Sequence, residues 1–178
     1  MIFEEKKLDS ERIYEGAILN VRRDRVTAVK GEAYREIIEH NGAVAMVPLT
    51  EEGKVLMVRQ FRYACGRPVL EIPAGKIDKG EDPLAAAARE LKEETGCEAE
   101  SLIYLGSINP SVAYSEEVIH IYAATDLKAG EQSLDEDEAV DVAEYPFDEV
   151  WNMAAEGKLE DAKTIAGLMM AGKQLSIR

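Results

Sequence analysis

The chain has 178 residues, of which 46% are hydrophobic and 31% are charged. This composition is typical of a folded globular protein with one main core, and it excludes a disordered chain. The formal net charge of −14 excludes a continuous basic face for long nucleic acids. It leaves a small anionic substrate possible, because a divalent cation bound among carboxylates reverses the local charge.

The sequence also bears on compartment and partners. Its apolar stretches are shorter than the roughly 20 residues of a membrane-spanning helix, and its N-terminus lacks the pattern of a signal peptide. The two cysteines, Cys65 and Cys97, have no metal-ligand spacing. We therefore expect two unpaired thiols in a reduced, cytoplasmic protein with no nucleic-acid or membrane partner.

The first 40 residues are predicted to form a separate β-rich section. Short strand-like runs occur there and are broken by the turn-prone segment Lys30–Glu32. The predicted strands are Ile18–Val21, Arg25–Val29 and Tyr34–Glu39.

The second domain, residues 41–178, begins with two apolar runs that predict a β-hairpin. The run AVAMVPL follows Gly42, a turn is predicted at Glu51–Gly53, and the run KVLMVRQFR follows that turn. Val69–Ile72 is predicted to be another buried strand, which ends at Pro73.

The next segment has the most regular helical pattern in the chain. Asp82 is suited to the N-cap, Pro83 to the first helical position and Gly96 to a left-handed C-cap. Apolar or small residues at helical spacing predict a stripe that packs on a sheet. The stripe consists of Leu84, Ala87, Ala88, Leu91 and Thr95.

The rest of the chain is predicted to alternate strands and helices. The strands are Leu102–Leu105, Glu117–Ala123 and Ala139–Ala143, and the helices are Phe147–Glu156 and Asp161–Ala171. Together these elements predict an α/β fold, a sandwich built around a mixed sheet.

Two glutamates on the first helix are the clearest candidates for chemistry. Glu90 and Glu94 are four residues apart, so their carboxylates project from neighbouring turns of one face. Carboxylate oxygens are the ligands that Mg²⁺ prefers. Glu93 follows Glu90 at the three-residue spacing, and Arg89 can pair with it. By themselves, however, two glutamates at this spacing are more typical of a solvated acidic helix than of a metal site.

The whole segment from Gly75 to Cys97 resembles the Nudix box. That motif has Gly, five residues, Glu, seven residues, Arg-Glu, an aliphatic residue, any residue, Glu-Glu, any residue, Gly and an aliphatic residue. Every fixed position is present. The departure is Cys97, where the family usually has Ile, Leu or Val, and Cys is also small and apolar.

The resemblance implies a Nudix-type α/β/α sandwich with a divalent-metal site on a loop–helix–loop. Mg²⁺ would be the cofactor, with Mn²⁺ as a possible substitute. The implied metal ligands are Glu90, Glu94 and the Ala74 carbonyl, with Glu93 nearby as a catalytic residue. The structural positions of the motif are Gly75, Glu81, Arg89 and Gly96, where Gly75 allows close passage of the backbone, Glu81 braces the loop and Arg89 pairs with the box carboxylates.

Residues before the box resemble the ADP-ribose pyrophosphatase group of the family, in which an RQxR strand precedes LEIPAG. Here VRQFRY precedes LEIPAG. The resemblance implies that Arg62 and Arg59 lie near the substrate phosphates, and we add Glu71 and Arg35 to the substrate-binding candidates. The alternative is that the arginines lie on an exposed hairpin edge. Pro110 departs from the group, being nearer the box and not followed by Gly, which bears on the precise substrate.

An acidic segment after the box, LDEDEAVDV, resembles the loop that supplies a catalytic glutamate in the ADP-ribose pyrophosphatases. Glu136 is the preferred general base, and Glu138 is a further metal ligand or the alternative base. Its composition alone would also suit a solvated loop, but its position just before a predicted strand favours the catalytic role.

The resemblance predicts Mg²⁺-dependent hydrolysis of the pyrophosphate bond of ADP-ribose to AMP and ribose 5-phosphate. The alternatives are another nucleoside diphosphate derivative, such as a GDP-sugar or dinucleoside polyphosphate, and a nucleotide sensor without catalysis. The intact carboxylates argue against the sensor. In the ADP-ribose pyrophosphatases such an N-terminal section pairs across a dimer, so the resemblance implies a homodimer, with Tyr14, Arg25 and Arg35 as candidate contacts to the partner or substrate.

Overall fold

The computed structural model describes residues 2–134, 136 and 138–177. The chain divides into two compact units. The first unit comprises Met1–Gly42 and Asn109–Val118, and the second comprises Ala43–Ile108 and Ile119–Arg178. No helix in the described part of the chain is long and apolar enough to cross a membrane.

The first unit contains a three-stranded antiparallel sheet in the order β1-β2-β3. Its strands are β1 (Lys7–Glu15), β2 (Asn20–Thr27) and β3 (Glu32–Glu39). The prediction of two short strands in the middle of this section is wrong, because β1 and β3 pair with β2 along its length and keep it continuous. Strand β1 was not predicted because its residues are polar in the main, and all nine are exposed.

The segment 109–118 belongs to this unit because it pairs with β3. The Ile38 N–H donates to the Tyr114 carbonyl at 2.7 Å, and the Glu116 N–H donates to the Ile38 carbonyl at 3.0 Å. Arg22 strengthens the same contact, since its guanidinium binds the carboxylates of Glu39 and Glu116, each at 2.9 Å. Residues far apart in sequence therefore form one sheet edge.

The second unit contains seven strands in two sheets and three α-helices among its described residues. A four-stranded mixed sheet has the order β7-β4-β9-β8, and a three-stranded antiparallel sheet has the order β10-β5-β6. The strands are β4 (Ala43–Pro48), β5 (Lys54–Arg62), β6 (Arg67–Glu71), β7 (Ala74–Lys76), β8 (Cys97–Ile108), β9 (Ile119–Ala129) and β10 (Val140–Pro146). The helices are α1 (Pro83–Thr95), α2 (Phe147–Ala155) and α3 (Ala162–Gln174).

Apolar cores lie on both faces of the mixed sheet. Val44 and Met46 pack in a cluster with α1, whereas Ala45 and Val47 pack in a cluster with α2 and α3. Successive residues of a strand point to opposite faces, so a strand buried on both faces must be apolar throughout. This arrangement explains the run AVAMVP and confirms the predicted α/β sandwich.

The predicted hairpin between β4 and β5 is wrong. The two strands belong to different sheets, and an isolated bridge pairs Val55 of β5 with Leu49, the residue just after β4. Both edges of β4 are already occupied, because β9 pairs with it in parallel and β7 pairs with it antiparallel. The turn around Gly53 therefore carries the chain from one sheet to the other.

The predicted apolar stripe of α1 is also wrong in part. Leu84 is 47% exposed and Ala88 is exposed, whereas the buried residues are Ala86, Ala87, Leu91 and Glu94. The buried face is rotated toward Glu94, because the Glu94 carboxylate accepts a hydrogen bond from the Ala74 N–H at 2.9 Å. One of the predicted metal ligands is thus part of the packed face.

Candidate active site

Local sequence fixes both ends of α1. The Asp82 side chain accepts hydrogen bonds from the Leu84 and Ala85 N–H groups, and Pro83 occupies the first turn. Gly96 ends the helix at φ 72°, a conformation that favours glycine. These contacts confirm the predicted caps and set the start and end of the helix that carries the motif glutamates.

The segment that leads into the acidic loop packs on the C-terminal end of α1. A Cβ at Gly96 would lie 2.9 Å from backbone atoms of residues 130–132. The Ser133 N–H donates to the Glu93 carbonyl at 3.1 Å, and the Gln132 side-chain amide donates to the Glu94 carbonyl. Gly96 is therefore required both by its backbone angle and by this close approach.

Arg89 connects the carboxylates of the motif. It binds Glu81 through two nitrogens at 3.0 and 2.9 Å, and it binds Glu90 and Glu93 at 2.8 Å each. It also donates to the Lys76 carbonyl at 3.1 Å. The Arg89 hydrogen bonds lower the pKa of Glu81 to about 2. One guanidinium thus joins the helix to the preceding loop.

The pKa values of the two helix glutamates Glu94 and Glu90 are raised despite the nearby arginines. Burial raises the pKa of Glu94 to about 7, and the charges of Glu90 and Glu138 act in the same direction against the Ala74 N–H. Burial also raises the pKa of Glu90, to which Glu93 and Glu138 contribute. Glu138 is therefore close enough to act on both helix glutamates.

These residues suit a hard divalent cation. The available donors are carboxylate oxygens, and burial, the main cause of the raised pKa values of Glu90 and Glu94, is a cost that a bound divalent cation would offset. A Cβ at Gly75 would lie 1.8 Å from the Glu90 carboxyl carbon, so glycine lets the loop pass this carboxylate without displacing it. No set of three Asp, Glu, His or Cys side chains among the described residues already has the arrangement of a complete metal site. Here Arg89 and the Ala74 N–H occupy carboxylate oxygens of Glu90 and Glu94.

A second charged cluster is centred on Glu71, whose residue is 2% exposed. Arg62 binds its two oxygens through Nε and Nη2, each at 2.7 Å, and the Lys163 ammonium binds Oε2. Burial would raise the Glu71 pKa, but the two cations lower it below its usual value. The charge of Glu94 acts on Arg62, so the two clusters are electrostatic neighbours.

Sequence analysis did not identify Lys163 or its partner Asp161 as parts of the site. Asp161 was assigned as the first residue of a helix, and it does cap α3 by accepting from the Thr164 N–H at 3.0 Å. Lys163 is 92 residues from Glu71. A lysine at the second position of a helix carries no periodic or motif signal, so only tertiary structure reveals this pair.

The other predicted site residues lie in different surroundings. Arg59 is exposed on β5, where it is opposite Asp141 of β10. Glu136 is exposed at a turn, and its neighbours Asp135 and Asp137 lie outside the described residues. Three candidates belong to the first unit: Arg35 pairs with Glu5, Arg25 pairs with Glu32, and Tyr14 is 56% exposed.

The family model of the NUDIX domain matches residues 39–168. The chain belongs to the Nudix family. This match and the relatives described next confirm the predicted family and enzyme class, and we describe the protein as a Nudix pyrophosphohydrolase. Hydrolases of this family generally use divalent metal ions.

Three relatives cover between 77% and 99% of the chain. A "Methanol dehydrogenase activator" of Bacillus methanolicus is 39% identical over 99% of this chain and 97% of the relative. An "ADP-ribose pyrophosphatase" of Bacillus subtilis (strain 168) is 40% identical over 90% of this chain and 89% of the relative. A "GDP-mannose pyrophosphatase" of Yersinia enterocolitica is 36% identical over 77% of this chain and 76% of the relative.

A solved structure confirms the fold. It is described as "Crystal structure of ADP compounds hydrolase", and it superposes with a TM-score of 0.86. The match covers 99% of this chain and 96% of the other, at 22% sequence identity.

Proposed function

We propose that this Nudix hydrolase cleaves the pyrophosphate bond of ADP-ribose and releases AMP and ribose 5-phosphate, with Mg²⁺ as its cofactor. The observation that carries the proposal is that one short segment joins the two clusters: Glu71 binds Arg62, and the Ala74 N–H binds the buried carboxylate of Glu94. A diphosphate needs an anion-binding guanidinium beside a cation-binding carboxylate cluster. The 40% identity to an ADP-ribose pyrophosphatase supports this substrate over others.

The proposed metal ligands are Glu90, Glu94 and the Ala74 carbonyl, and Mn²⁺ should replace Mg²⁺ because it also prefers oxygen ligands. When bound, the ion neutralises diphosphate charge and lowers the pKa of coordinated water. Arg89 would hold Glu93 and Glu90 in place on their shared face of α1 through its hydrogen bonds. Gly75 would keep the preceding loop close to Glu90.

The chain's own groups would bind the substrate and remove a proton. Two nitrogens of Arg62 are held by Glu71, which orients the guanidinium for contact with phosphate oxygens. Between the two candidate bases, the charge of Glu138 on both Glu90 and Glu94 favours Glu138 over Glu136 as the acceptor of the water proton. Arg59 and Arg35 stay candidates for substrate contacts.

We further propose a homodimer formed through the N-terminal unit. Strand β1 is exposed along its whole length, and a sheet edge with unpaired backbone groups favours pairing with another chain. Ile13 and Tyr14 add apolar surface, being 51% and 56% exposed. A cytoplasmic location is part of the same proposal and follows from the unpaired cysteines.

A second candidate function is activation of a dehydrogenase. The relative named for that activity matches 99% of this chain, which includes the N-terminal unit. Adding the purified chain to methanol dehydrogenase with and without Mg²⁺ tests it, and a faster reaction is the expected result. An unchanged dehydrogenase rate would remove this candidate without affecting the hydrolase proposal.

The deciding experiment is a substrate panel of ADP-ribose, GDP-mannose and diadenosine polyphosphates, assayed with Mg²⁺ and after chelation. We expect metal-dependent release of AMP, fastest from ADP-ribose. Faster cleavage of GDP-mannose would preserve the Nudix chemistry and refute the substrate, a result that the relative from Yersinia would explain. Binding without cleavage of any compound would point to a nucleotide sensor.

A further inference from the structure

Lys163 is a buried cation to which neither the Nudix motif nor the proposed mechanism gives a role. The residue is 9% exposed, and lysine is rarely buried unless its ammonium is paired. The ammonium binds Glu71 Oε2 and lies 3.0 Å from Asp161 Oδ2. Lys163 and Arg62, the candidate for phosphate binding, therefore bind the same carboxylate, that of Glu71.

Two cations of this cluster, Arg62 and Lys163, bind the single carboxylate of Glu71. Glu71 receives two hydrogen bonds from Arg62 and one from Lys163, while Asp161 receives its hydrogen bonds from the first turn of α3. If Lys163 were absent, the whole charge of Glu71 would fall on Arg62. An incoming phosphate would then compete with a carboxylate for a guanidinium that was already neutralised.

The same helical turn also fixes the position of the strand that carries Glu71. Thr164 Oγ1 accepts a hydrogen bond from the Ile72 N–H at 2.9 Å, and Thr164 is fully buried. Two residues further along, the Ala74 N–H binds the Glu94 carboxylate. The first turn of α3 is therefore connected through one short segment to both charged clusters.

Part of the Arg62 guanidinium stays available for a substrate in this arrangement. Its Nε and Nη2 bind Glu71, whereas Nη1 has no hydrogen-bond partner among residues 2–134, 136 and 138–177. The Arg62 side chain is 42% exposed, in contrast to the 11% of Lys163. Lys163 thus lies behind Glu71 and cannot itself be the main phosphate contact.

We propose that Lys163 is a positioning residue of the substrate site, which shares the Glu71 carboxylate with Arg62 and so leaves the Arg62 guanidinium oriented and electrostatically available for a diphosphate. The identity of the complete substrate rests on the proposed function. The assignment of Lys163 requires only that Arg62 bind a phosphate group.

The test compares Lys163→Met, which removes the ammonium, with Lys163→Arg, which retains a cation. Lys173→Met is the matched control, because Lys173 is on the same helix but exposed. For Lys163→Met we expect KM for ADP-ribose to rise by about tenfold while kcat changes by less than about threefold, as for a lost hydrogen bond to a charged group. Lys163→Arg should recover most of the affinity, and Lys173→Met should behave as wild type.

A second readout needs no turnover. Inorganic pyrophosphate is titrated calorimetrically into protein from which a chelator has removed metal ions. The affinity for pyrophosphate should fall in Lys163→Met and recover in Lys163→Arg. If ADP-ribose is not hydrolysed by the wild type but this binding pattern holds, the proposed substrate fails and the role of Lys163 stands. Absence of pyrophosphate binding in the wild type, or equal binding in Lys163→Met, would overturn the role.

A double substitution separates positioning from folding. Glu71→Gln removes the shared charge, so adding Lys163→Met to it should cause no further rise in KM. The double variant also avoids a buried unpaired ion and should fold even if Lys163→Met does not. An equal effect of Lys163→Met in both backgrounds would show that Lys163 acts independently of Glu71, and the proposal would be wrong.

Discussion

Glu71 and Glu94 are buried to a similar degree, but their surroundings shift their pKa values in opposite directions. They are 2% and 4% exposed, respectively. The pKa of Glu71 is lowered, because Arg62 and Lys163 outweigh the effect of burial. The pKa of Glu94 is raised to about 7, because burial is reinforced by Glu90 and Glu138.

The difference shows how the environment assigns a role to the same side chain. The charge of Glu71 is neutralised by the protein's own cations, so Glu71 is suited to orient Arg62. No cation that the structure describes binds the Glu94 carboxylate directly, and its charge is disfavoured by burial, so Glu94 is suited to the proposed role of metal ligand. Substitutions that change Glu94 or its surroundings therefore test this contrast with Glu71.

The largest effect is expected from Glu94→Gln. The amide keeps the size of the side chain and can still accept from the Ala74 N–H, but it removes the charge that a divalent ion requires. We expect kcat with Mg²⁺ to fall on the order of 10³-fold, since electrostatic stabilisation is usually the largest catalytic contribution. Assays of ADP-ribose hydrolysis measure it.

Glu98→Gln is the matched control for that substitution. Glu98 lies just beyond α1, pairs with Lys92, and has a side chain that is 61% exposed. Its variant should hydrolyse at the wild-type rate. Near-normal turnover by Glu94→Gln, in a protein with the wild-type melting temperature, would refute the metal role of Glu94.

The next largest effect is expected on the free energy of unfolding of the metal-free protein, which should depend on pH. The Glu94 pKa is raised in the folded state from 4.5 to about 7, so the folded state retains a proton that the unfolded chain releases. The resulting stability is fully present below pH 4.5 and is lost as pH rises through 7. This loss is about 3 kcal/mol, on the order of 1.4 kcal/mol for each pKa unit.

Urea unfolding at a series of pH values between about 5 and 8 measures this dependence. Because other groups also titrate, the informative quantity is the difference between wild type and Glu94→Gln. The variant should lack this part of the slope, and excess Mg²⁺ should reduce the slope in the wild type. Identical slopes in wild type and variant, both without metal, would mean that the folded state does not raise the pKa of Glu94.

A smaller effect is expected from Gly75→Ala. The new methyl group would lie 1.8–2.2 Å from carboxylate atoms of Glu90, and the flexible end of that side chain can move away. We expect an unchanged melting temperature and a loss of Mn²⁺ affinity of about 10- to 100-fold, as when the support of a metal ligand is disturbed. Calorimetric titration with Mn²⁺ measures the affinity, and wild-type affinity would show that Glu90 need not stay beside the loop.

Prediction from sequence worked best where function depends on residues close together in the chain. The motif from Gly75 to Cys97 contains its own helix, caps and carboxylates, and the structure has them as predicted from Asp82 to Gly96. It worked less well for packing. The apolar stripe through Leu84 and Ala88 was wrong, because helical spacing does not show that Ala74 draws Glu94 onto the buried side.

The sequence alone determined the family, the fold class and the identity of the metal-binding candidates, because a contiguous motif is read without knowledge of long-range contacts. Tertiary structure alone decided which strands pair. It separated β4 from β5, whose apolar patterns fit either arrangement. It also brought Lys163 to Glu71 across 92 residues. Such a contact depends on where α3 packs on the sheet, and no local pattern of residues encodes that position.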